Sequence, residues 1–119
     1  MKFINFTNHP SELWDGKQAE AARQWGEIVD MQFPNISPSA SASEIRVLAE
    51  EYRVRILSMG RPEDLVVHIQ GEQTFCYALV RGLQGAGVRC VASTTERKTT
   101  YNSDGSKLSE FSFVQFRSY

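Results

Sequence analysis

The stretch DLVVHIQ, residues 64–70, constrains the fold of this chain more than any other segment. Its apolar run is nearly continuous, which is typical of a central parallel strand that is covered on both faces. A glycine follows at position 71, and apolar residues then recur at helical spacing over 72–84. A buried strand that leads directly into a helix predicts an α/β unit built around a parallel sheet.

The rest of the chain repeats this alternation of strand and helix. Further strands are predicted at 2–7, 27–33 and 88–94, and further helices at 16–26 and 43–59. Ser41 with Glu44 is a potential capping box for the helix at 43–59, and Ser43 is the alternative N-cap. The Asp-Gly pair in NSDGS, between ERKTTY and LSEFSFVQFRSY, predicts a C-terminal antiparallel hairpin.

The element order β-α-β-α-β-α-β-β predicts a three-layer, Rossmann-like α/β domain with right-handed crossovers. We expect the parallel strands in the order 2-1-3-4, with the hairpin extending one edge of a mainly parallel sheet. No internal repeat is visible, so residues 1–119 are predicted to form a single domain.

The composition of the chain limits the kinds of molecule that it can bind and the compartment that suits it. The net charge is −1, so the chain has no bulk basic field for long nucleic acid. Cys76 and Cys90 lie in predicted core segments and are expected to be reduced and buried. The start MKFINFTNHP resembles neither a signal peptide nor a membrane span, which favours a cytoplasmic protein without membrane contact.

A ligand site is expected where the strand order reverses, at the carboxyl ends of the strands. With the order 2-1-3-4, this point lies between the first and third strands. The three most polar junctions of the chain would meet there: TNHPSELW after the first strand, QGEQTF after the third and STTERK at the end of the fourth. This convergence is the main functional signal in the sequence.

The first junction offers a titratable side chain and a ring. His9 could act as a general acid or base. Asn8 and Ser11 could hold phosphate oxygens or ribose hydroxyls, and Trp14 could stack on a base. The alternative is that Pro10 and Ser11 only cap the entry to the first helix and that Trp14 belongs to the core.

The second junction opens a helix, whose free N–H groups and dipole favour an anion. Gly71 would let a ligand approach the backbone, Gln73 would line the same helix start, and Thr74 could add a hydroxyl. Glu72 opposes phosphate, so it would instead orient a hydroxyl or act as a base. The alternative is that Gly71 is a turn glycine and that Glu72 merely complements the helix dipole.

The third junction supplies hydroxyls followed by a guanidinium, a set that suits phosphate recognition. Its residues are Ser93, Thr94, Thr95, Arg97 and Lys98. The alternative is that these residues only pair across the hairpin. His68 lies inside a strand and is expected to be a hydrogen-bonded core histidine. The acidic residues and the two histidines show no metal-ligand spacing.

Three segments carry a resemblance to a family: NFTNHPSELW, VVHIQGEQTFCYALVRGLQGAGVRCVASTTER and FSFVQFRSY. Together with the element order, they resemble small stand-alone relatives of the CRISPR-associated Rossmann fold (CARF) domain, some of which are ring nucleases of type III CRISPR systems. The resemblance implies a homodimer that cradles a cyclic oligoadenylate across its two-fold axis. It also implies metal-independent cleavage without a cofactor, in which a ribose 2′-hydroxyl attacks the adjacent phosphate and leaves a 2′,3′-cyclic phosphate. Such cleavage would switch off the CRISPR signal.

On that resemblance, the candidate catalytic residues are His9, Glu72 and Ser11. The candidate ligand-binding residues are Asn8, Trp14, Gly71, Gln73, Thr74, Thr94, Thr95 and Arg97. Three alternatives stay open: a nucleotide-binding sponge without turnover, another small nucleotide hydrolase or transferase, and a module whose hairpin mediates dimerisation.

Overall fold

The computed structural model describes every residue from Met1 to Tyr119. The fold is mixed α/β, with a curled sheet of five strands and three helices. The strands are β1 (Lys2–Phe6), β2 (Glu27–Asp30), β3 (Leu65–Ile69), β4 (Arg89–Tyr101) and β5 (Lys107–Ser118). The helices are α1 (Gly16–Arg23), α2 (Ala42–Leu57) and α3 (Gln73–Gly85). None of these helices is long and apolar enough to cross a membrane.

The sheet has the strand order β2-β1-β3-β4-β5. The first four strands are parallel, and β5 pairs antiparallel with β4. This confirms the expected order 2-1-3-4 and the C-terminal antiparallel pair. In the register, Asn5 lies opposite both Asp30 and His68, so these three side chains project from the same face of the sheet.

Three predicted boundaries differ from the structure by three residues or more. The second strand, predicted over 27–33, ends at Asp30, because its only neighbour β1 pairs with it no further than Asn5. The first helix ends at Arg23, where tighter backbone bonds take over before Gly26. The fourth strand does not stop at 94 but runs on to Tyr101, with a register irregularity between Thr94 and Thr95.

Both faces of the sheet are covered by helices. On one face, α2 and α3 pack over a cluster of 16 buried residues that includes Ile4, Val67 and Leu79. On the other face, Ala22 of α1 packs in a smaller cluster with Phe3, Val66 and Val91, and Trp25 stacks on Phe3. The positions that alternate along β1 and β3 therefore serve two separate cores, which explains the continuous apolar run in β3.

The predicted capping box at the start of α2 is confirmed. The Ser41 side chain accepts from the N–H of Glu44 at 3.1 Å, and the Glu44 carboxylate accepts from the N–H of Ser41 at 3.4 Å.

The two cysteines are buried and form no disulfide, and burial raises the pKa of Cys76 to about 11 and that of Cys90 to about 12. Both are therefore thiols near neutral pH.

Gly71, between β3 and α3, is required for a reason that the sequence does not reveal. Its backbone is not in the left-handed region, so the turn itself does not demand glycine. Instead, the buried ring of Phe33 lies against it, and a Cβ at position 71 would overlap that ring. Gly71 therefore allows a loop aromatic to close the core beneath the strand-to-helix junction.

Replacing Gly71 with Ala should lower the free energy of unfolding by about 1–3 kcal/mol, because the added methyl group overpacks the Phe33 contact. Gly85→Ala is the matched control, since a Cβ there meets nothing within 4 Å. Urea unfolding of both variants measures the difference. Equal stability of the two variants would show that Phe33 does not impose the glycine.

Candidate functional site

A crevice of about 800 Å³ opens at the carboxyl ends of β1 and β3, beside β4. It lies on the α1 face of the sheet, between the first turn of that helix and the β4–β5 hairpin. Five residues of the predicted site line it: Asn8, His9, Trp14, Gly71 and Thr95. The structure thus brings together residues from all three of the polar junctions identified in the sequence.

The crevice stands on a row of polar side chains that crosses three neighbouring strands. Asn5 Nδ2 donates to Asp30 Oδ1 at 2.8 Å, and Asn5 Oδ1 lies 3.1 Å from His68 Nδ1. Asn5 and His68 are 1% and 2% exposed, so this row is part of the interior. Buried polar groups are stable only when they are hydrogen-bonded, and the register of β2, β1 and β3 supplies each partner.

A second polar pair, Gln70 and Ser93, connects this row to the lining of the crevice. Gln70 Oε1 lies 2.8 Å from His68 Nε2 and also accepts from the hydroxyl and the N–H of Ser93. Gln70 Nε2 donates to the carbonyl oxygen of Ser93 at 3.2 Å. The backbone of Ser93 therefore fixes the orientation of the Gln70 amide and ties the end of β3 to β4.

Both ring nitrogens of His68 consequently face amide oxygens. Asn5 cannot be turned round, because its nitrogen donates to the carbonyl oxygen of His9 and to Asp30. A neutral imidazole carries one N–H, so it donates to one of the two oxygens at a time. Burial lowers the pKa of His68 to about 4, although the hydrogen bond with Gln70 acts in the opposite direction. His68 is therefore neutral near pH 7.

The same network positions His9 at the mouth of the crevice. The N–H of His9 donates to Thr7 Oγ1 at 3.1 Å, and its carbonyl oxygen accepts from Asn5 Nδ2 at 2.7 Å. The backbone of this loop residue is thus held by two side chains of the interior, whereas its imidazole is exposed. The imidazole of His9 is thus within reach of a ligand in the crevice.

Three aromatic residues form the walls: Trp14, Phe111 and Phe113. Trp14 packs edge-on against His68, with ring centroids 5.8 Å apart, and against Phe3 at 6.2 Å. Its indole Nε1 is the one buried side-chain nitrogen or oxygen of the protein without a hydrogen-bond partner. Trp14 is therefore both a core residue and a wall of the crevice, so the two interpretations of its role are compatible.

Ser11 lies outside the crevice lining. Its hydroxyl donates to Asp30 Oδ2 at 2.7 Å, and its N–H donates to Asp30 Oδ1 at 3.0 Å. Burial disfavours the Asp30 carboxylate, but the bonds from Asn5 and Ser11 outweigh it and hold the pKa of Asp30 below its ordinary value. The Ser11 hydroxyl is thus engaged in tying its loop to β2.

The start of α3 is already occupied by the protein's own carboxylate. Glu72 is the N-cap and accepts from the N–H groups of Thr74 and Phe75, at 3.1 and 2.8 Å, and from the Thr74 hydroxyl. The bond from the Phe75 N–H, followed by the Thr74 hydroxyl, lowers the pKa of Glu72. An external anion would have to displace this cap, so the geometry favours the interpretation of Glu72 as a dipole complement.

The remaining predicted residues lie elsewhere. Gln73 and Thr74 line a groove between α2 and α3 instead of the crevice. The Thr94 hydroxyl donates to the carbonyl oxygen of Gln115 at 3.2 Å, as expected for cross-strand pairing. Arg97 lies further out on the hairpin, where it donates to Ser109 Oγ at 3.1 Å and lies over the ring of Phe111.

Sequence reasoning named Ser93 but missed the other residues that organise the crevice, namely Asn5, Asp30 and Gln70. They lie within or at the ends of strands, where a polar residue is easily taken for a solvent-facing position. A usable signal was present, because Asn5 and His68 interrupt otherwise apolar strands at positions that the register brings side by side. No group of three or more potential metal ligands is assembled anywhere in the protein.

The fold and crevice define a small α/β protein with a polar, aromatic-walled site at the carboxyl ends of its parallel strands. The chain belongs to the family described as "Uncharacterized protein MJ1673 family", which it matches over residues 1–117. A comparison with curated proteins found no match. The family therefore accounts for almost the whole chain, and the function must be argued from the site.

The burial of His68 predicts a pH dependence of stability. Its folded pKa of about 4 lies below the ordinary 6.5, so the unfolded chain takes up the proton first. The stabilisation is complete above pH 6.5 and decreases as the pH falls toward 4. Between about pH 7 and about pH 4.5, this residue should account for a loss of roughly 2–3 kcal/mol in unfolding free energy, measured by urea unfolding.

Two variants separate this effect from the general response to acid. His68→Gln should unfold more easily at neutral pH but lose less stability on acidification than the wild type. His9→Gln, which alters the exposed histidine, should keep the wild-type dependence. If all three proteins respond equally to pH, His68 is not a buried neutral group.

Proposed function

We propose that this protein binds a cyclic oligoadenylate in the crevice and cleaves it, as a ring nuclease of the type III CRISPR kind. The single observation that supports this most strongly is the polar, aromatic-walled crevice beside the point where the strand order reverses. In α/β sheets with this connectivity, nucleotides bind at that position. The description of the fold as Rossmann-like and three-layered belongs to the same proposal, and is supported by helices on both faces of the sheet.

The chemistry of the lining favours the base and ribose of a nucleotide. Trp14, Phe111 and Phe113 offer aromatic surface to an adenine, and each stacked base contributes about 1–3 kcal/mol in comparable sites. Asn8 offers an amide group to ring nitrogens and hydroxyls, and Gln70 offers the one amide N–H that Ser93 does not engage. No Lys or Arg lines the crevice, so the phosphates of the ligand would remain at or beyond its mouth.

His9 is the residue best suited to the chemical step. In the proposed reaction, a 2′-oxygen forms a bond to the adjacent phosphorus while the bond from that phosphorus to the 5′-oxygen breaks. One proton leaves the 2′-hydroxyl and one is gained by the 5′-oxygen, and an exposed imidazole can carry out either transfer. Glu72 and Ser11 have no part in this proposed step, because hydrogen bonds within the protein engage both side chains.

A cyclic ligand with repeated nucleotides presents equivalent groups on opposite sides. Two crevices related by a two-fold axis would match this symmetry, so the proposal includes a homodimer. A single crevice of about 800 Å³ accommodates only part of such a ring. The protein should therefore be a dimer in solution, and light scattering that shows a monomer with bound ligand would contradict this part of the proposal.

Incubation with cyclic tri-, tetra- and hexa-adenylate in EDTA tests the proposal. We expect one of the rings to bind and to be converted into linear products that end in a 2′,3′-cyclic phosphate, as resolved by liquid chromatography. Binding without conversion would make the protein a sponge for the messenger. Neither binding nor conversion of any ring would contradict the proposed function altogether.

The role of His9 is tested by replacing it with Ala. If His9 transfers a proton, cleavage under single-turnover conditions should slow by about 100-fold or more, while ring binding changes little. Glu12→Ala provides the control, because Glu12 lies in the same loop but outside the crevice lining. Unchanged turnover in the His9 variant would show that another group transfers the proton.

A further inference from the structure

The β4–β5 hairpin projects beyond the rest of the sheet. From Ala92 onward, β4 has no partner on its other side, because β3 pairs with it only over Arg89–Val91. The two strands thus form a free ribbon, which extends from the crevice to the turn at 102–106. Along β4, the segment from Thr95 to Tyr101 spans about 20 Å, at ~3.3 Å for each residue.

The two faces of this ribbon differ in chemistry. Directly opposed residues of an antiparallel pair project to the same side, so the register assigns each residue to a face. The front face, which is continuous with the crevice, carries Thr95, Arg97, Thr99, Tyr101, Lys107, Ser109, Phe111 and Phe113. The back face carries Glu96, Lys98, Thr100, Leu108, Glu110 and Ser112.

Charge is sorted between these faces. Both carboxylates of the paired strands, Glu96 and Glu110, lie on the back, where Lys98 is opposite Glu110. The front carries the cations Arg97 and Lys107 and no carboxylate. Neither of these two cations forms a salt bridge within the protein. The front is therefore a locally basic surface on a protein whose net charge is −1.

On the front face, each cation is paired with an aromatic ring. The Arg97 guanidinium lies 6.0 Å from the centroid of Phe111, and the Lys107 ammonium lies 5.7 Å from that of Tyr101. Phe111 and Tyr101 are both 69% exposed, so their rings are available for stacking. Cationic groups interleaved with exposed rings are the surface that single-stranded nucleic acids prefer, because phosphates and bases alternate along the strand.

We propose that the front face of the ribbon is a second binding surface for a short single-stranded oligonucleotide whose end nucleotide occupies the crevice. Arg97 and Lys107 contact two phosphates that are separated along the strand, and Phe111 and Tyr101 stack on bases. The crevice lining lacks cations, so the ribbon supplies the charge that the crevice does not. This inference rests on the proposed function, since it assigns a path beyond the crevice to the linear adenylate that cleavage of the ring would leave.

The ribbon proposal is tested by measuring how the affinity for an oligonucleotide depends on its length. Fluorescence anisotropy with linear oligoadenylates of two and of six nucleotides should show tighter binding of the longer probe to the wild type. The double variant Arg97→Ala/Lys107→Ala should bind the six-nucleotide probe about 10-fold more weakly or worse and lose this gain. Its log–log salt dependence should become shallower by about 1.4, because two phosphates are no longer neutralised by the protein. Lys98→Ala, on the back face, should keep the wild-type gain.

A second matched pair examines stacking. Tyr101→Ala should weaken binding of the six-nucleotide probe by about fivefold or more, whereas Leu108→Ala, which changes an exposed apolar residue on the back face, should not. Circular dichroism checks that all the variants remain folded. A double variant that keeps the length-dependent gain, or a wild type with equal affinity for both lengths, would overturn the ribbon inference and leave the crevice proposal intact.

A six-nucleotide oligouridylate separates the two proposals. Ribbon-dependent binding of this probe without binding of any adenylate would support the ribbon and refute the adenylate function. Failure of the wild type to bind either probe would overturn the ribbon inference as well.

Discussion

The hydrogen-bonded row Asp30–Asn5–His68 is the interaction on which the site depends. It places polar side chains inside a parallel sheet, where each would be costly if left without a partner. The register of β2, β1 and β3 removes that cost, because it gives Asn5 a hydrogen-bond partner on each side, Asp30 and His68. From this row, Gln70 reaches β4 through Ser93, and Asn5 with Thr7 holds the backbone of His9. The crevice is thus built on hydrogen bonds that continue from buried side chains to its lining.

This origin explains how a chain of 119 residues can hold a shaped site without a metal cluster or a disulfide. Side chains that hydrogen-bond to each other across neighbouring strands hold the site, and Trp14 packs edge-on against His68. The two cations that we propose for the phosphates of the ligand, Arg97 and Lys107, lie outside the crevice on the ribbon. The crevice is therefore formed at the end of the sheet, whereas the cations lie on the hairpin.

Sequence patterns predicted the strand order, the helices and the place of the crevice, because hydrophobic periodicity and connectivity constrain these strongly. They did not predict which side chains would build the floor. Asn5 and Asp30 can be recognised as partners only when the strand register places them side by side. The periodicity of a single sequence does not determine that register. At Glu72 the sequence leaves two interpretations open, an anion site at the helix start and a carboxylate that complements the helix dipole, and the structure adds that this carboxylate caps the helix itself. Gly71 stands out in the sequence as a turn glycine, but the ring of Phe33 is the reason for it.

The crevice above this row is where we expect the ligand to bind. The chain has two tryptophans, so an ¹⁵N-labelled sample offers two indole N–H signals, one from Trp14 in the crevice wall and one from Trp25 in the core below. On titration with cyclic tetra- or hexa-adenylate, we expect the Trp14 signal to shift and the Trp25 signal to stay nearly constant. Saturable binding of a ring with no change at Trp14 would place the ligand elsewhere and contradict the assignment of the crevice as the binding site.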